Sequence, residues 1–281
     1  MILEAIGIVN PLQGLFLNVF IMSVNFQYWM RGDILNPIDQ IIVALSFSGI
    51  FYSLAKCAKN TIALCPILTL SVRYDYYILE FSITYGFFSS CWLSACLCWF
   101  FFMKMNNFKA GGLLWMKMKI DALVLRLILA LELFSILNSL LYSFTSEIKT
   151  IVNVTASAKA NQTSDYKLGN VFNTGLLIFN CIIPILISTV TTGHIIVSLY
   201  KHTQRMKKNM GDGGGPSLEV HKKAACTLTS IIIFNSIVFA MMMGMTLPTA
   251  NIFNWISYTL FSSYAFVLSI ILILGNSRLL Q

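Results

Sequence analysis

Three ionisable side chains lie inside apolar stretches of this sequence, namely Glu132, Arg126 and His194. A carboxyl group in the middle of such a stretch either contacts a ligand or a proton, or is hydrogen-bonded between packed segments. We favour the second interpretation for Glu132, and we interpret His194 as a packed neutral imidazole. Arg126 lies near the end of its stretch, where its long side chain can reach water. Because the three residues are scattered, they do not indicate a proton relay.

The seven cysteines could form disulfides or bind a metal ion. Their spacing offers no pair of Cys-x-x-Cys motifs of the kind that forms a zinc site. Cysteines in apolar stretches usually pack as small apolar groups, so we predict free thiols and no metal ion. Six of them lie in or at the ends of apolar stretches, and these are Cys57, Cys91, Cys96, Cys98, Cys181 and Cys226.

The glycine-rich run from Gly211 to Pro216 could suggest a phosphate-binding loop. No strand is predicted before it, and no Gly-Lys-Ser/Thr ends it, so we interpret it as a flexible turn. We predict no catalytic residue and no cofactor, and therefore no enzyme.

The composition indicates which environment must hold these residues. The chain has 281 residues, of which 57% are hydrophobic and 11% are charged, and its mean hydropathy is +0.75. Soluble domains carry about 25% charged residues, so this chain has too little polar surface to face water. These values exclude a soluble enzyme, a disordered tail protein and a nucleic-acid-binding domain, despite the net charge of +8.

Seven stretches are long enough to cross a bilayer core, which requires about 20 mostly apolar residues. They predict an all-α membrane protein, a single seven-transmembrane helix bundle over residues 1–281. The gaps between them leave no room for a soluble domain. Pro184 lies within the fifth stretch, where a kink is expected. The predicted spans cover about residues 6–29, 37–58, 79–103, 120–142, 171–199, 224–245 and 253–274.

The distribution of Lys and Arg predicts how the bundle is oriented. Twelve of these residues fall on the side that holds the C-terminus, and six fall on the opposite side. Because Lys and Arg are concentrated in cytoplasmic loops, we expect the N-terminus outside and the C-terminus in the cytoplasm. The six residues assigned to the outside are Lys56, Lys59, Arg73, Lys149, Lys159 and Lys167.

Two acceptor triplets for N-glycosylation lie between the fourth and fifth predicted spans, beginning at Asn153 and Asn161. That loop is extracellular in the predicted orientation, so the two signals agree. We expect Asn161 to be used in preference to Asn153, because it lies farther from the end of the fourth span.

Polar residues in the first two spans have structural interpretations. Asn18 and Asn25 lie seven residues apart on nearly the same helical face, and we expect each to bond a neighbouring helix. Asn36 and Pro37 have the order typical of a helix start, with Asp39 in the first turn, near the positive end of the helix dipole.

Short motifs in four of the predicted spans occur in one characteristic order. The first span contains Gly-x-x-x-Asn-x-Phe-Ile, and the third contains Trp-Leu-Ser-Ala-Cys-Leu-Cys-Trp-Phe-Phe-Phe-Met-Lys. The fifth contains Pro-x-x-x-Ser and then Ser-Leu-x-x-His, and the seventh ends in Ser-x-x-Leu-Ile-Leu-x-Asn-x-Arg-Leu. This order resembles the bitter taste receptors, the type 2 taste receptors among the G-protein-coupled receptors. The residues that carry these motifs include Asn18, Trp92, Leu97, Pro184, Ser188, Leu199 and Ser269.

The resemblance implies a receptor and not a catalyst. It implies that a small-molecule bitter agonist binds within the bundle and that the chain then activates a heterotrimeric G protein and calcium signalling. It also implies a multi-pass protein of the plasma membrane, in contact with membrane lipid. Two alternatives stay open, a pheromone-type chemosensory receptor and a small transporter or channel. The transporter is disfavoured because the sequence has no internal repeat and no charged pore ring.

Helix position, and not a motif, suggests where an agonist would bind. Aromatic and aliphatic side chains with few polar anchors suit a small apolar ligand. The candidate ligand-binding residues are Ile83, Phe87, Asn180, Tyr258 and Phe261.

The resemblance also implies a G-protein contact at the facing ends of the fifth and sixth helices. There the matching positions are His202 and Met206 in the fifth helix, with Lys222 and Lys223 at the start of the sixth. Two positions depart from the family pattern. Gly49 stands where the second helix usually carries Arg, and Leu268 stands where the seventh usually carries His.

Overall fold

The structure is a computed structural model that describes residues 2–32, 34–64, 73–105, 118–156, 163–210, 216–244, 251–276 and 278–279. These residues fold into eight α-helices and contain no strand, which confirms the all-α prediction. The helices are α1 (Ile2–Met30), α2 (Pro37–Leu64), α3 (Arg73–Met105), α4 (Ile120–Ala156), α5 (Thr163–Met210), α6 (Pro216–Gly244), α7 (Asn251–Ser262) and α8 (Tyr264–Gly275).

Most of the described helices could cross a membrane. By length and hydropathy, α1, α2, α3, α5 and α6 each qualify, and α7 with α8 qualify together as one bent span. α4 occupies the predicted span 120–142 but is not among them, so the count of seven spans stays a prediction. The chain is a multi-pass membrane protein.

The seventh predicted span, 253–274, is wrong in one respect, because it is not a single helix. α7 and α8 meet at Ser263 with a bend of 50°. The Ser263 backbone N–H is shared between the carbonyls of Thr259, at 3.0 Å, and Leu260, at 3.2 Å. Neither Pro nor Gly stands at the bend, but Ser263 Oγ donates to the carbonyl of Thr259 at 2.8 Å, a hydrogen bond of the kind that often bends helices.

The segment between the fourth and fifth predicted spans is more helical than expected. α4 continues to Ala156 and α5 begins at Thr163, so only six residues separate two long helices. Asn153 lies in α4, with its side chain outside the described part of the structure, and Asn161 lies outside the described residues. Pro184 lies within the continuous helix α5.

The contacts between α1 and α2 show that these two helices run antiparallel. Asn60, near the end of α2, donates a hydrogen bond to the carbonyl of Gly7 near the start of α1. Gly49, earlier in α2, packs on Asn18, later in α1. We call the end of the bundle where α2 ends and α3 begins the α2–α3 end. The opposite end, where α1 ends and α2 begins, is the α1–α2 end.

α3 is the central helix of the described bundle. Of its membrane-crossing stretch, 78% is buried, against 28% for that of α1, and it contacts α2, α4 and α5. Side chains on α3 therefore face other helices on nearly every side, which makes α3 the element that positions any interior site.

Glu132 joins three helices through hydrogen bonds. Its Oε2 accepts from the Tyr85 hydroxyl at 2.8 Å and from Ser89 Oγ at 2.9 Å, both on α3. Its Oε1 lies 3.4 Å from Ser48 Oγ on α2, and Ser48 and Ser89 are themselves bonded at 2.7 Å. The interpretation of Glu132 as a hydrogen-bonded carboxyl between helices is confirmed.

An ion pair closes the α1–α2 end. Arg278, beyond α8, donates from Nη1 to Asp39 Oδ2 at 2.7 Å, and Asn276 Nδ2 donates to Asp39 Oδ1 at 3.2 Å. The Arg278 guanidinium also lies 5.4 Å from the ring centroid of Tyr28 on α1. Asp39 therefore does more than begin α2, since it holds the C-terminal segment against α1 and α2.

Other polar residues of the spans differ from expectation. Asn18 and Asn25 are buried, but each amide bonds a carbonyl of its own helix, Gly14 and Ile21 respectively, at 2.8 Å. The predicted hydrogen bonds to a neighbouring helix are therefore wrong. His194 is exposed on α5 and not packed inside, with its ring 5.8 Å from that of Phe102.

The prediction of free thiols is confirmed for the six cysteines that the structure describes. Cys57 is partly buried and Cys226 is exposed, while Cys65 lies outside the described residues. The four fully buried thiols are Cys91, Cys96, Cys98 and Cys181.

Candidate ligand-binding site

Four aromatic side chains from α2, α3, α7 and α8 meet inside the bundle, and we call Tyr52, Phe87, Phe261 and Tyr264 the aromatic cluster. The ring centroid of Phe87 lies 5.5 Å from that of Phe261 and 5.0 Å from that of Tyr264. Tyr52 lies 5.6 Å from each of the same two rings. The edge-to-face arrangement of these rings is the one that aromatic quadrupoles favour.

The aromatic cluster lies at the bend between α7 and α8. Tyr52 donates its hydroxyl to the backbone carbonyl of Phe261, one turn before α8 is established. On the other side of the bend, Asn10 Nδ2 donates to Ser263 Oγ at 2.7 Å. Side chains of α1 and α2 thus hold the bend in place, and a group that displaces Phe261 would act on it directly.

A buried cation borders the aromatic cluster. Lys56 on α2 is only 7% exposed, and its Nζ lies 4.8 Å from the ring centroid of Phe261 and 5.3 Å from that of Tyr258. An ammonium over an aromatic face is attracted by the ring quadrupole. The site therefore combines aromatic surface with one positive charge.

The structure brings most of the predicted ligand-binding residues to this place. Phe87 and Phe261 are in contact, and the Lys56 ammonium lies over the rings of both Tyr258 and Phe261. Ile83 is buried on α3, one turn before Phe87. Tyr258 and Phe261, both on α7, are the partly exposed members of this group.

Asn180 belongs to a different group of residues. Its Oδ1 accepts from Trp92 Nε1 at 3.0 Å, and its Nδ2 donates to Asn138 Oδ1 at 3.2 Å. Both ends of the amide are therefore used in joining α3, α4 and α5. This assigns a structural role to the motif residue Trp92, whose ring also packs at 5.2 Å from that of Phe134.

The remaining motif residues lie in the interior of the bundle. Asn18 packs against Gly49, and Ser269 donates to the carbonyl of Ala265 at 2.7 Å, within α8. Leu97, Pro184, Ser188 and Ser269 are buried, and Leu199 is partly buried. Packing between helices explains why these types occupy these positions.

The residues expected to contact a G protein lie toward the α1–α2 end. Lys222 is exposed and Lys223 is partly exposed near the start of α6. The side chains of His202 and Met206 on α5 lie outside the described part of the structure. The structure therefore shows that the two lysines are accessible.

Sequence reasoning missed Tyr52 and Lys56. Lys56 falls within the last residues of the predicted span 37–58, and the Lys and Arg distribution places it outside, but α2 continues to Leu64, about two turns further. The signal that could have found it is the apolar run Ile62-Ala63-Leu64, which follows the lysine at helical spacing. Among the described residues, no three His, Cys, Asp or Glu side chains are grouped so that they could hold a metal ion.

Comparisons with known proteins agree with the fold and with the motifs. The chain is 30% identical, over an alignment 301 positions long including gaps, to taste receptor type 2 member 7 of Rattus norvegicus, and the alignment covers 98% of this chain and 91% of the rat protein. It is 29% identical to taste receptor type 2 member 3 of Pongo pygmaeus, covering 95% of this chain and 87% of that protein.

The fold is similar to that of squid rhodopsin, with a TM-score of 0.57 and 11% sequence identity, over 95% of this chain and 80% of that one. The sequence model of the Taste receptor protein (TAS2R) family matches residues 1–281 of the chain. The family is one of receptors and not of enzymes, and it confirms the resemblance that the motifs indicated. The chain belongs to the Taste receptor protein (TAS2R) family and has the fold of a G-protein-coupled receptor.

Proposed function

We propose that this chain is a bitter taste receptor of the plasma membrane, in which a small, mostly apolar agonist binds at the aromatic cluster and activates a heterotrimeric G protein. Family membership supports the receptor class. The observation that carries the proposal is the contact of the partly exposed Phe261 with Phe87, beside the bend between α7 and α8. An agonist seated there touches α3, the central helix, and the bent span at once.

The proposed mechanism is a shift between two arrangements of the bundle. A ligand can shift such an equilibrium only by binding one arrangement more tightly than the other. Agonist contact with Phe261 changes the setting of the bend, to which the Tyr52 hydroxyl is bonded. Movement of α8 relative to α6 then opens the α1–α2 end, where the G protein binds and calcium signalling begins.

The proposal places the α2–α3 end outside the cell and the C-terminus in the cytoplasm. The burial of Lys56 removes one residue from the six Lys and Arg counted outside, which sharpens the contrast with the twelve on the other side. In this orientation Asn153 and Asn161 face the secretory lumen, and we propose both as glycosylation sites, with Asn161 used more.

The first test is a calcium-response screen in cells that express the chain with a promiscuous G protein. For an agonist found there, Phe261→Leu should raise the half-maximal concentration by about two- to tenfold, because the loss of an aromatic ring contact costs about 0.5–1.5 kcal/mol. Phe16→Leu is the matched control, since Phe16 is 82% exposed on α1, and it should respond like the unmodified chain.

Surface labelling checks that both variants reach the cell surface in equal amounts. If the two variants respond alike, agonists do not contact Phe261. If a surface-expressed chain responds to no compound in a broad panel of bitter substances, the proposed function is wrong.

The G-protein contact makes a separate prediction about Lys222 and Lys223. Reversing both charges, Lys222→Glu with Lys223→Glu, should suppress the agonist-driven calcium signal while surface expression stays normal. If the two lysines only face anionic lipid, each contributes about 1 kcal/mol of membrane attraction and signalling is unaffected. Replacement of both by Arg keeps the charge and should keep the signal. A double Glu variant that signals normally over the whole agonist range would exclude the docking role.

A further inference from the structure

The burial of the ionisable residue Lys56 is not explained by any of the structural roles described above. It lies inside α2 and is 7% exposed, in a helix long and apolar enough to cross a membrane. An ionisable residue at such a position is rare unless it pairs with another group or binds something. Its surroundings should therefore show what holds the ammonium.

The described residues give the ammonium aromatic faces but no hydrogen-bond acceptor. Its Nζ lies over the rings of Phe261 and Tyr258, at 4.8 and 5.3 Å, and no residue that the structure describes accepts a hydrogen bond from it. The ammonium group has three N–H donors, and a ring face does not satisfy them as a carboxylate oxygen would. The three donors remain available within a nearly buried site.

The nearby carboxylate of Glu80 does not bind the Lys56 ammonium. The carboxylate of Glu80, on α3, binds Lys59 Nζ at 2.5 Å. Its negative charge is therefore already paired with Lys59, which lies one helical turn after Lys56 on α2. The pair is partly exposed, whereas Lys56 is not. Lys56 is thus the more buried of the two lysines, and Glu80 is bound to the other one.

We propose that Lys56 binds the acid group of an agonist, so that the site takes aromatic carboxylates in preference to their neutral analogues. The inference rests on the proposed function and names the ligand class of the same site. The carboxylate accepts hydrogen bonds from Nζ, while the ring of the ligand packs on the aromatic faces of Tyr258 and Phe261. Tyr258 and Phe261 are both partly exposed, and in this proposal the acid group reaches Lys56 from between α2 and α7.

The test compares matched ligands on the full-length protein purified in detergent. The ligands are benzoate with benzamide and 2-naphthoate with 2-naphthamide, since each pair shares a ring system and differs in charge. Binding is measured as the rise in the temperature at which the buried cysteines react with a thiol dye, because Cys91, Cys96 and Cys181 are covered in the folded bundle. This readout needs no G protein.

We expect the unmodified protein to bind each carboxylate about tenfold or more tightly than its amide. The preference should disappear in Lys56→Gln and persist in Lys56→Arg. Lys104→Gln is the matched control, because Lys104 also lies over a ring, 5.7 Å from the centroid of Phe100, but is exposed at the other end of α3. It should keep the preference.

Several results would overturn the proposal. One is equal binding of carboxylate and amide by the unmodified protein, a measurement that needs no variant. Another is a preference that survives in Lys56→Gln, or in Lys56→Met if the Gln variant does not fold. Acetate that binds as tightly as 2-naphthoate would show a simple anion contact, without recognition of the ring.

Failure of this proposal and failure of the proposed function give different results. Suppose that the carboxylate preference is missing, but that a neutral agonist from the calcium screen acts equally on the unmodified chain and on Lys56→Gln. In that case the anion-binding proposal fails and the receptor function stands. A carboxylate preference in the binding assay, without a calcium response to any compound, would support the anion site and reject the signalling role.

Discussion

Substituting leucine for Gly86 is expected to prevent α2 from packing on α3 and to remove the protein from the cell surface. Even alanine should weaken the fold. A Cβ atom at Gly86 would lie 2.7 Å from the carbonyl oxygen of Ser48 and 2.8 Å from Cβ of Tyr52, closer than real Cβ contacts. Because these atoms belong to the backbone of α2 or are attached to it, no side-chain rotation relieves the contact. The two helices must separate.

The magnitudes favour a net loss of stability. Overpacking a tight contact costs about 1–3 kcal/mol, and occasionally more. Replacing a helical glycine with alanine gains only about 0.5–1 kcal/mol. Separation of the helices would also stretch the 2.7 Å hydrogen bond between Ser48 and Ser89 and shift Tyr52 away from the aromatic cluster. The effect of Gly86→Ala therefore reaches the ligand site.

The measurement is the temperature at which the buried thiols become reactive, together with surface labelling in cells. Gly193→Ala is the matched control, because it makes the same change on α5 where no atom lies within 4 Å of the added Cβ. It should leave both readouts unchanged or raise the temperature slightly. If Gly86→Ala proves as stable as Gly193→Ala, α2 and α3 do not approach each other as closely as the structure indicates.

The helices themselves could be predicted because an apolar stretch of bilayer length has few alternatives. In a membrane every backbone polar group must be satisfied internally, so such stretches become helices. The ends were less accurate, since α4 and α5 extend well beyond predicted spans 120–142 and 171–199. Helix length beyond the apolar stretch depends on local contacts, and hydropathy does not report these.

One departure from the family pattern lies in direct contact with a motif residue. The resemblance implies Arg where this chain has Gly49, and a Cβ atom there would lie 2.7 to 2.8 Å from three side-chain atoms of Asn18. The amide of Asn18 fills the space that a larger residue would need. Gly49 and Asn18 therefore pack as a pair between α1 and α2, a relation that neither stretch reveals alone. Since Asn18 belongs to the family motif, the contact does not explain why this chain has Gly in place of Arg.

The candidate site was predicted in part for a similar reason. Helix position correctly brought Phe87 and Phe261 to one place, because interior faces of neighbouring helices must meet. It did not reveal that the Asn180 amide is used by Trp92 and Asn138, nor that Lys56 is buried. Hydrogen-bond partners and the depth of a charge depend on helix rotation, which composition leaves open.

The contact between Asp39 and Arg278 predicts the second large effect, a loss of stability in Arg278→Ala. The two residues are 239 positions apart, and their side chains are 5% and 41% exposed respectively. Removing Arg278 leaves a buried carboxylate whose described hydrogen bond is the 3.2 Å contact from Asn276. Breaking a fully buried ion pair from one side costs about 3–5 kcal/mol, and we expect a smaller loss here, because water screens the half-exposed Arg278 and the Asn276 bond remains.

The asymmetry of exposure makes this prediction specific. Asp39→Ala leaves only the half-exposed guanidinium of Arg278, which can reach water, so it should cost less than Arg278→Ala. The double variant removes the stranded carboxylate as well, and it should be more stable than Arg278→Ala alone. Arg126→Ala, which removes an exposed arginine from α4, is the control and should change little. The thiol-reactivity temperature ranks all four variants in one assay. If Arg278→Ala matches Arg126→Ala, or if the double variant is no more stable than Arg278→Ala, the C-terminal segment is not held by Asp39 and the α1–α2 end closes by other contacts.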